Sequence, residues 1–111
     1  ITIALLRSAG CRVVGTDVDP NKFALASTMG AEAVGSAAAI HEMLSRLSPS
    51  GGADSVIITA STASSAPLVL ASEVARDRAK VVAVGAVGLK VPRREFYEKE
   101  LELVVSRSYG P

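Results

Sequence analysis

Cysteine and histidine each occur once in this sequence, as Cys11 and His41. No disulfide can close within the chain, and no structural zinc site of Cys/His type can be assembled. A Ser/His/Asp arrangement would have to use His41, which falls mid-helix among small residues and reads as a surface or half-buried side chain. Cys11, at the start of a strand pattern, reads as a small core residue rather than a nucleophile. An excess of one charge is also lacking: 12 basic and 11 acidic residues give a net charge of +1. That balance offers no electrostatic footing for nucleic acid or an anionic membrane. No apolar run reaches the roughly 18 residues of a membrane span. Residues 1–6 are apolar but have neither a basic leader nor a cleavage-type ending, so no signal peptide is expected. With one cysteine and no export signal, the expected location is the cytoplasm. No G-x-G-x-x-G is present, and with it goes any phosphate cradle of that kind.

What is present is apolar and small. Of the 111 residues, 49% are hydrophobic and only 4% aromatic, so Ala, Val, Leu and Ile must supply the core. This balance suits helices with small faces packed on Val/Ile-rich strands, within one domain over residues 1–111. The chain opens without methionine, in the middle of a helical pattern, and is expected to be a fragment of a longer protein.

Residues 1–10 read as the end of a helix capped by Gly10. Residues 12–16 follow as a short buried strand closed by Asp17. Asp19 and Pro20 then start a helix over 21–29 that stops at Gly30. A brief strand is expected at 31–34, and a helix capped by Ser36 over 37–47, with Ile40, Met43, Leu44 and Leu47 on one face. Residues 49–52 break the chain before a strong strand at 55–59. After a small polar loop, Pro67 fits the first turn of a helix reaching about Arg76. Asp77 to Ala79 should turn the chain into a strand over 80–84 that ends in Gly85-Ala86-Val87-Gly88. A short helical piece around Phe96 and Tyr97 leads to a final strand over 101–106. The mixed run Arg93-Arg94-Glu95 and Glu98-Lys99-Glu100 reads as solvated surface. Short strands alternating with helices predict an α/β fold, a doubly wound parallel sheet of Rossmann type.

Open parallel sheets bind ligands beyond the carboxyl ends of their strands. Three such places stand out. Asp17 can accept hydrogen bonds from the two ribose hydroxyls of an adenine nucleotide, and it repels a 2′-phosphate, which favours NAD over NADP. It could equally be a turn residue, although Asp19 already fits that cap. Thr59, Ala60 and Ser61, with Thr62, would let a nucleotide pass close to the backbone; taken alone they read as an ordinary strand-to-helix loop. Val84, Gly85 and Ala86 would admit a flat ring such as nicotinamide, since glycine permits close approach; on their own they are a turn. An acidic residue closing the second strand also occurs in S-adenosylmethionine-dependent methyltransferases and would serve a non-catalytic nucleotide sensor. Against the methyltransferase, the final region lacks a long hairpin.

The run Ala-Gly-Cys-Arg-Val-Val-Gly-Thr-Asp-Val-Asp-Pro-Asn-Lys-Phe-Ala-Leu-Ala-Ser-Thr-Met-Gly-Ala over 9–31 resembles the zinc-type, medium-chain alcohol dehydrogenase superfamily. So do Gly-Gly-Ala-Asp over 51–54, Lys-Val-Val-Ala-Val-Gly over 80–85, and the stretch from Tyr97 through 110. These are similar to that family's strand ends in order, and the resemblance covers essentially the whole chain. It is nearest to a bacterial subgroup like threonine and sorbitol dehydrogenases. Some chains of that subgroup carry an inositol-dehydrogenase-like domain after the module.

The resemblance implies the NAD-binding domain of a larger oxidoreductase that transfers hydride to or from an alcohol. It places the first strand and the Gly-rich loop just before Ile1. Asp17 would hold the adenosine ribose with Lys22 beside it, Thr59, Ala60 and Ser61 would flank the adenosine, and Val84, Gly85 and Ala86 would approach the nicotinamide. Zinc ligands and the proton relay would belong to a separate catalytic domain, so this chain alone would be inactive. The last strand, 101–105, would extend the sheet of a second subunit in a homodimer.

Overall fold

The computed structural model describes residues 2–17, 19–49 and 51–106, and every strand pairing among them is parallel. The chain divides into two compact units, Ile1–Leu47 and Ser48–Pro111.

The first unit runs α1 (Thr2–Ser8), β1 (Val14–Thr16), α2 (Phe23–Thr28), β2 (Ala33–Gly35) and α3 (Ile40–Leu47), with a 3₁₀ turn before each of α2 and α3. The two strands pair from Val14↔Ala33 to Thr16↔Gly35. Helices α1 and α2 stop by the same device. The Gly10 and Cys11 N–H groups donate to the Arg7 and Leu6 carbonyls, and those of Gly30 and Ala31 donate to the Ser27 and Ala26 carbonyls. Each closure needs a left-handed residue, and Gly10 (φ 90°) and Gly30 (φ 115°) supply it without steric cost. The helix ends therefore fall where the glycines predict. Cys11 does not enter the core; it belongs to this closure, ahead of β1, and is exposed.

Helix α3 buries Ile40 and half-buries Met43, Leu44 and Leu47, while His41, Glu42, Ser45 and Arg46 face outward. The period-3.6 face is as expected. Ser36 makes no side-chain cap, because the chain enters α3 through the 3₁₀ turn Ala37–Ala39, and the Ser36 carbonyl accepts from the Ala39 N–H.

Arg12 ties this unit together. Its Nε donates to both Glu32 carboxylate oxygens at 3.1 Å and its Nη2 to Oε2 at 2.9 Å, while Nη1 reaches the Leu47 carbonyl at 3.1 Å. One guanidinium thus joins the segments ahead of β1 and β2 to the end of α3, where carbonyls have no partner within the helix. Arg7 adds a second contact to Glu32 at 3.3 Å.

The second unit runs β3 (Ala53–Ile58), α4 (Ala66–Val74), β4 (Ala75–Ala83), α5 (Arg93–Lys99) and β5 (Glu102–Val105), in sheet order β3-β4-β5. Helix α4 lies on β3 and β4, and α5 lies on β4 and α4. Ile58, Leu68, Ala71 and Val81 form the core, with Val56, Val87, Phe96 and Leu103 packed around it. Leu68 and Val81 are fully buried, each contributing about 1.5–3 kcal/mol relative to exposure.

Two expectations are corrected here. Helix α4 ends at Val74, not near Arg76, and passes directly into β4. Burial of Val74, Ala75 and Ala79 draws residues 75–79 into the sheet. The expected turn at 77–79 survives only as a bulge, because Ala53 pairs with Ala75 but Ser55 pairs with Lys80. Arg78 in this bulge has φ 62°, and the Arg76 Nε donates to Asp54 Oδ1 at 2.7 Å across it. Strand β4 also ends at Ala83, leaving Val84 in the loop.

The second correction concerns Lys99, which is not a solvated surface charge. Its Nζ donates to the Ser72, Glu73 and Ala75 carbonyls at 2.8, 3.0 and 2.9 Å. Those groups lie at the end of α4, where orphan carbonyls and the helix dipole both favour a cation. The resemblance of the segment beyond Ser106 lies outside the described residues.

Two outcomes follow for stability. Lys99→Met keeps the aliphatic stem and removes the charge, and urea unfolding should show a loss of about 2 kcal/mol, the scale of hydrogen bonds to a charged group. The Glu32 carboxyl is held below its ordinary value of 4.5, first by the Arg12 hydrogen bond, against a smaller desolvation effect and with help from the Arg12 and Arg7 charges. A depressed carboxyl stabilises above its unfolded pKa and loses that contribution as pH falls through the folded value. Melting temperatures of the wild type and Glu32→Gln should therefore differ at pH 6 and converge on acidification below 4.5.

Candidate functional site

Each strand releases a loop at its carboxyl end, and the expected site residues sit on these loops. In the first unit, β1 ends at Thr16 and Asp17 follows, solvent-exposed. Its Oδ1 accepts the Asp19 N–H at 3.0 Å, and the Asp19 Oδ1 in turn accepts the Asn21 N–H at 3.0 Å. Two nested Asx turns result. Asp19 caps the 3₁₀ turn Pro20–Lys22, with Pro20 in its first turn, as its sequence position implies. The expectation that Asp19 leaves Asp17 uncommitted is corrected in part, since Asp17 also holds a turn N–H. A carboxylate has about four acceptor positions, so this bond orients the group and leaves it capacity for further donors. Lys22 lies exposed on the same turn.

In the second unit, β3 and β4 are neighbours, so the loops that leave them meet. The Val84 and Gly85 N–H groups both donate to the Ile58 carbonyl, at 2.9 and 3.0 Å. The Thr62 N–H donates to the Ala86 carbonyl at 2.9 Å and the Gly88 N–H to the Ser64 carbonyl at 3.1 Å. The two loops are thereby zipped together beyond the strands. Thr59, Ala60 and Ser61 are brought against Val84, Gly85 and Ala86, as expected of a shared site.

The role of Gly85 is different from the expected one. A β-carbon on it would overlap the Ala60 carbonyl oxygen and lie 2.9 Å from the Thr59 and Ala60 carbonyl carbons. The missing side chain serves the approach of one loop to the other before it can serve a ligand. Gly88 is equally confined, 2.7 Å from the Ala63 oxygen.

Beside this zip lies an open groove of about 520 Å³ lined by Ser61, Thr62, Ala63, Ala86, Val87 and Gly88. That size falls within the ~300–1,000 Å³ of small-molecule clefts, although an open groove covers only one face of a ligand. Ser61 and Ala86 are expected residues that reach it. Thr59, Ala60, Val84 and Gly85 form the base of the zip, and the lining is displaced two residues further along each loop. The small residues of 61–63 and 86–88 were the available signal. Among the described residues, no three His, Cys, Asp or Glu side chains gather as a metal site requires. Among the same residues, no helix is long and apolar enough to cross a membrane.

Parallel strands with helical crossovers, an acidic residue at one strand end and small-residue loops at the others are the features of a Rossmann-type fold. Residues 1–111 match the zinc-binding dehydrogenase family throughout, and the chain belongs to that family. No curated protein sequence matches it significantly. Among solved structures, D-arabinose dehydrogenase from Sulfolobus solfataricus is similar with a TM-score of 0.84 at 16% identity, over 95% of this chain and 33% of that one. Galactitol-1-phosphate dehydrogenase from Escherichia coli is similar with a TM-score of 0.74 at 23% identity, over 94% and 32%. Quinone oxidoreductase from Thermus thermophilus, also solved with NADPH, gives 0.75 at 21%, over 94% and 32%. The chain spans about one third of the length of these proteins. These likenesses are of fold, and together with the family they disfavour the methyltransferase and sensor readings.

The zip is open to a direct check. Gly85→Ala should separate the loops, lower the melting temperature by several degrees and speed amide exchange of Thr62 and Gly88. An unchanged exchange rate at Thr62 would show that the zip survives the added methyl group and would overturn this account of Gly85.

Proposed function

We propose that this chain is the cofactor-binding part of a larger dehydrogenase that transfers hydride between a nicotinamide dinucleotide and an alcohol, with NAD preferred to NADP. The observation that carries the reading is Asp17, an exposed carboxylate at the end of β1, oriented by the Asp19 N–H in a chain of zinc-binding dehydrogenase family. A carboxylate in that place accepts from the ribose hydroxyls and repels a 2′-phosphate, and Lys22 would lie beside the same ribose. The NADPH complex of the Thermus enzyme supports a nicotinamide cofactor as the class.

In the second unit, Thr59, Ala60 and Ser61 would flank the adenosine side, and Val84, Gly85 and Ala86 would approach the nicotinamide. Their zipped backbones present a small-residue surface to a flat ring. When bound, the nicotinamide supplies the hydride chemistry, while the protein binds and orients. The alcohol, and any zinc, would be held by a separate catalytic domain. The β5 edge supports a homodimer, since Val104 and Val105 are exposed there on the outer strand of the sheet order. A cytoplasmic location fits this chemistry.

The test is a titration of the protein with NADH, NADPH and S-adenosylmethionine, repeated with Asp17→Ala. NADH should bind best, and the substitution should weaken it roughly tenfold or more, the loss expected for a hydrogen-bonded charged group, while NADPH, relieved of the repulsion, binds no more weakly, so that the preference is erased. Tightest binding of S-adenosylmethionine would overturn the reading.

A further inference from the structure

The loop between β3 and α4 carries five hydroxyls, at Thr59, Ser61, Thr62, Ser64 and Ser65, and the structure gives the last three different work. The Thr62 Oγ1 accepts the Ser64 N–H at 3.3 Å, and the Ser64 Oγ accepts the Ala66 N–H at 3.0 Å. Both bonds are local and shape the entry to α4. Ser65 occupies the N-cap position of α4, yet its side chain makes no capping bond there. Its Oγ instead accepts the Lys90 N–H at 3.0 Å, from a residue 25 positions along the chain. The same oxygen stands 2.6 Å from where a Gly88 β-carbon would be, so the hydroxyl reaches Lys90 across a glycine that makes room for it.

The place of this bond in the zip matters. Backbone bonds fasten the loops at Gly85, Thr62 and Gly88, and the Ser65–Lys90 bond is the next fastening beyond Gly88. The groove-lining residues Ala86, Val87 and Gly88 lie between the first and last of these points. Backbone bonds hold Ala86 and Gly88 themselves, and the Ser65–Lys90 bond adds a hold two residues beyond Gly88 that fixes the direction in which the chain leaves the groove wall. Helix capping prefers a serine hydroxyl on the helix's own N–H groups, so its use on the other loop gives up a local bond for a tertiary one.

We propose that Ser65 is a positioning residue: through Lys90 it sets the wall formed by residues 86–88 against which the dinucleotide rests. This rests on the reading that the groove belongs to the cofactor site. Ser65 does not touch the cofactor itself; it acts on the loop that does.

The experiment compares the protein with its Ser65→Ala and Ser64→Ala variants by NADH and NADPH titration, melting temperature and amide hydrogen exchange at Lys90. Ser64→Ala removes a hydroxyl bond from the same loop and serves as the measure of a purely structural loss. Ser65→Ala should raise the dissociation constant of the preferred cofactor about fivefold, the scale of one neutral hydrogen bond, and accelerate Lys90 exchange. Ser64→Ala should lower the melting temperature and leave the dissociation constant within twofold. Should Ser65→Ala fail to fold, Ser65→Cys, similar in shape but a weak acceptor, is judged by the same criteria. An unchanged dissociation constant in the Ser65 variant, or an equal shift in both variants, would overturn the positioning role alone. Failure of the unmodified protein to bind either nicotinamide cofactor would overturn the underlying reading, and this proposal with it.

Discussion

Strand β4 is the constraint on which the second unit depends. It lies between β3 and β5, parallel to both, and its Ala79, Val81 and Ala83 are almost completely buried. A parallel neighbour on each side obliges the chain to cross over twice, and α4 and α5 are those crossovers. The same geometry delivers the loops after β3 and β4 at one end of the sheet, side by side. The zip between them follows from parallel pairing, and so does the groove beside it.

The opposite requirement arises at the helix ends. Each crossover must stop and turn back into a strand, leaving carbonyls without intrahelical partners. Small backbone closures do this at Gly10, Gly30 and Glu100, the last in an unusual left-handed conformation at φ 53°, which costs a non-glycine residue about 1–2 kcal/mol. Two long basic side chains do the rest: Arg12 reaches the end of α3 and Lys99 the end of α4. Neither of these bonds draws on the strand ends that carry Asp17 and the zipped loops.

For function, the two glycines of Val84-Gly85-Ala86-Val87-Gly88 call for a different account from the one that glycine usually receives in a nucleotide site. Gly85 is confined by the Ala60 backbone, and Gly88 by Ser65 and Ala63. Their small size lets protein approach protein, and a ligand then meets a surface whose shape the hydrogen bonds between loops have already set. Asp17 is treated in the same way, with one carboxylate oxygen held by Asp19 so that the group is oriented before any ribose arrives. Preorganisation of this kind lowers the ordering that binding would otherwise require.

The sequence by itself determined the element order, the parallel α/β class, the glycine and Asp19 helix boundaries, and, to within a residue, the strand ends beside Asp17, Thr59–Ser61 and Val84–Ala86. Those features are legible because periodicity, caps and breakers act between residues a few positions apart. Where α4 yields to β4, the local pattern pointed past Val74, and burial of Ala75 and Ala79 decided otherwise. Only the tertiary structure placed Lys99 on the end of α4, Arg12 between Glu32 and Leu47, and Ser65 on Lys90. Each of those bonds joins groups 20 or more positions apart. No local signal marks which surface lysine or loop serine will find a distant carbonyl or amide, because that choice is made when the crossovers pack.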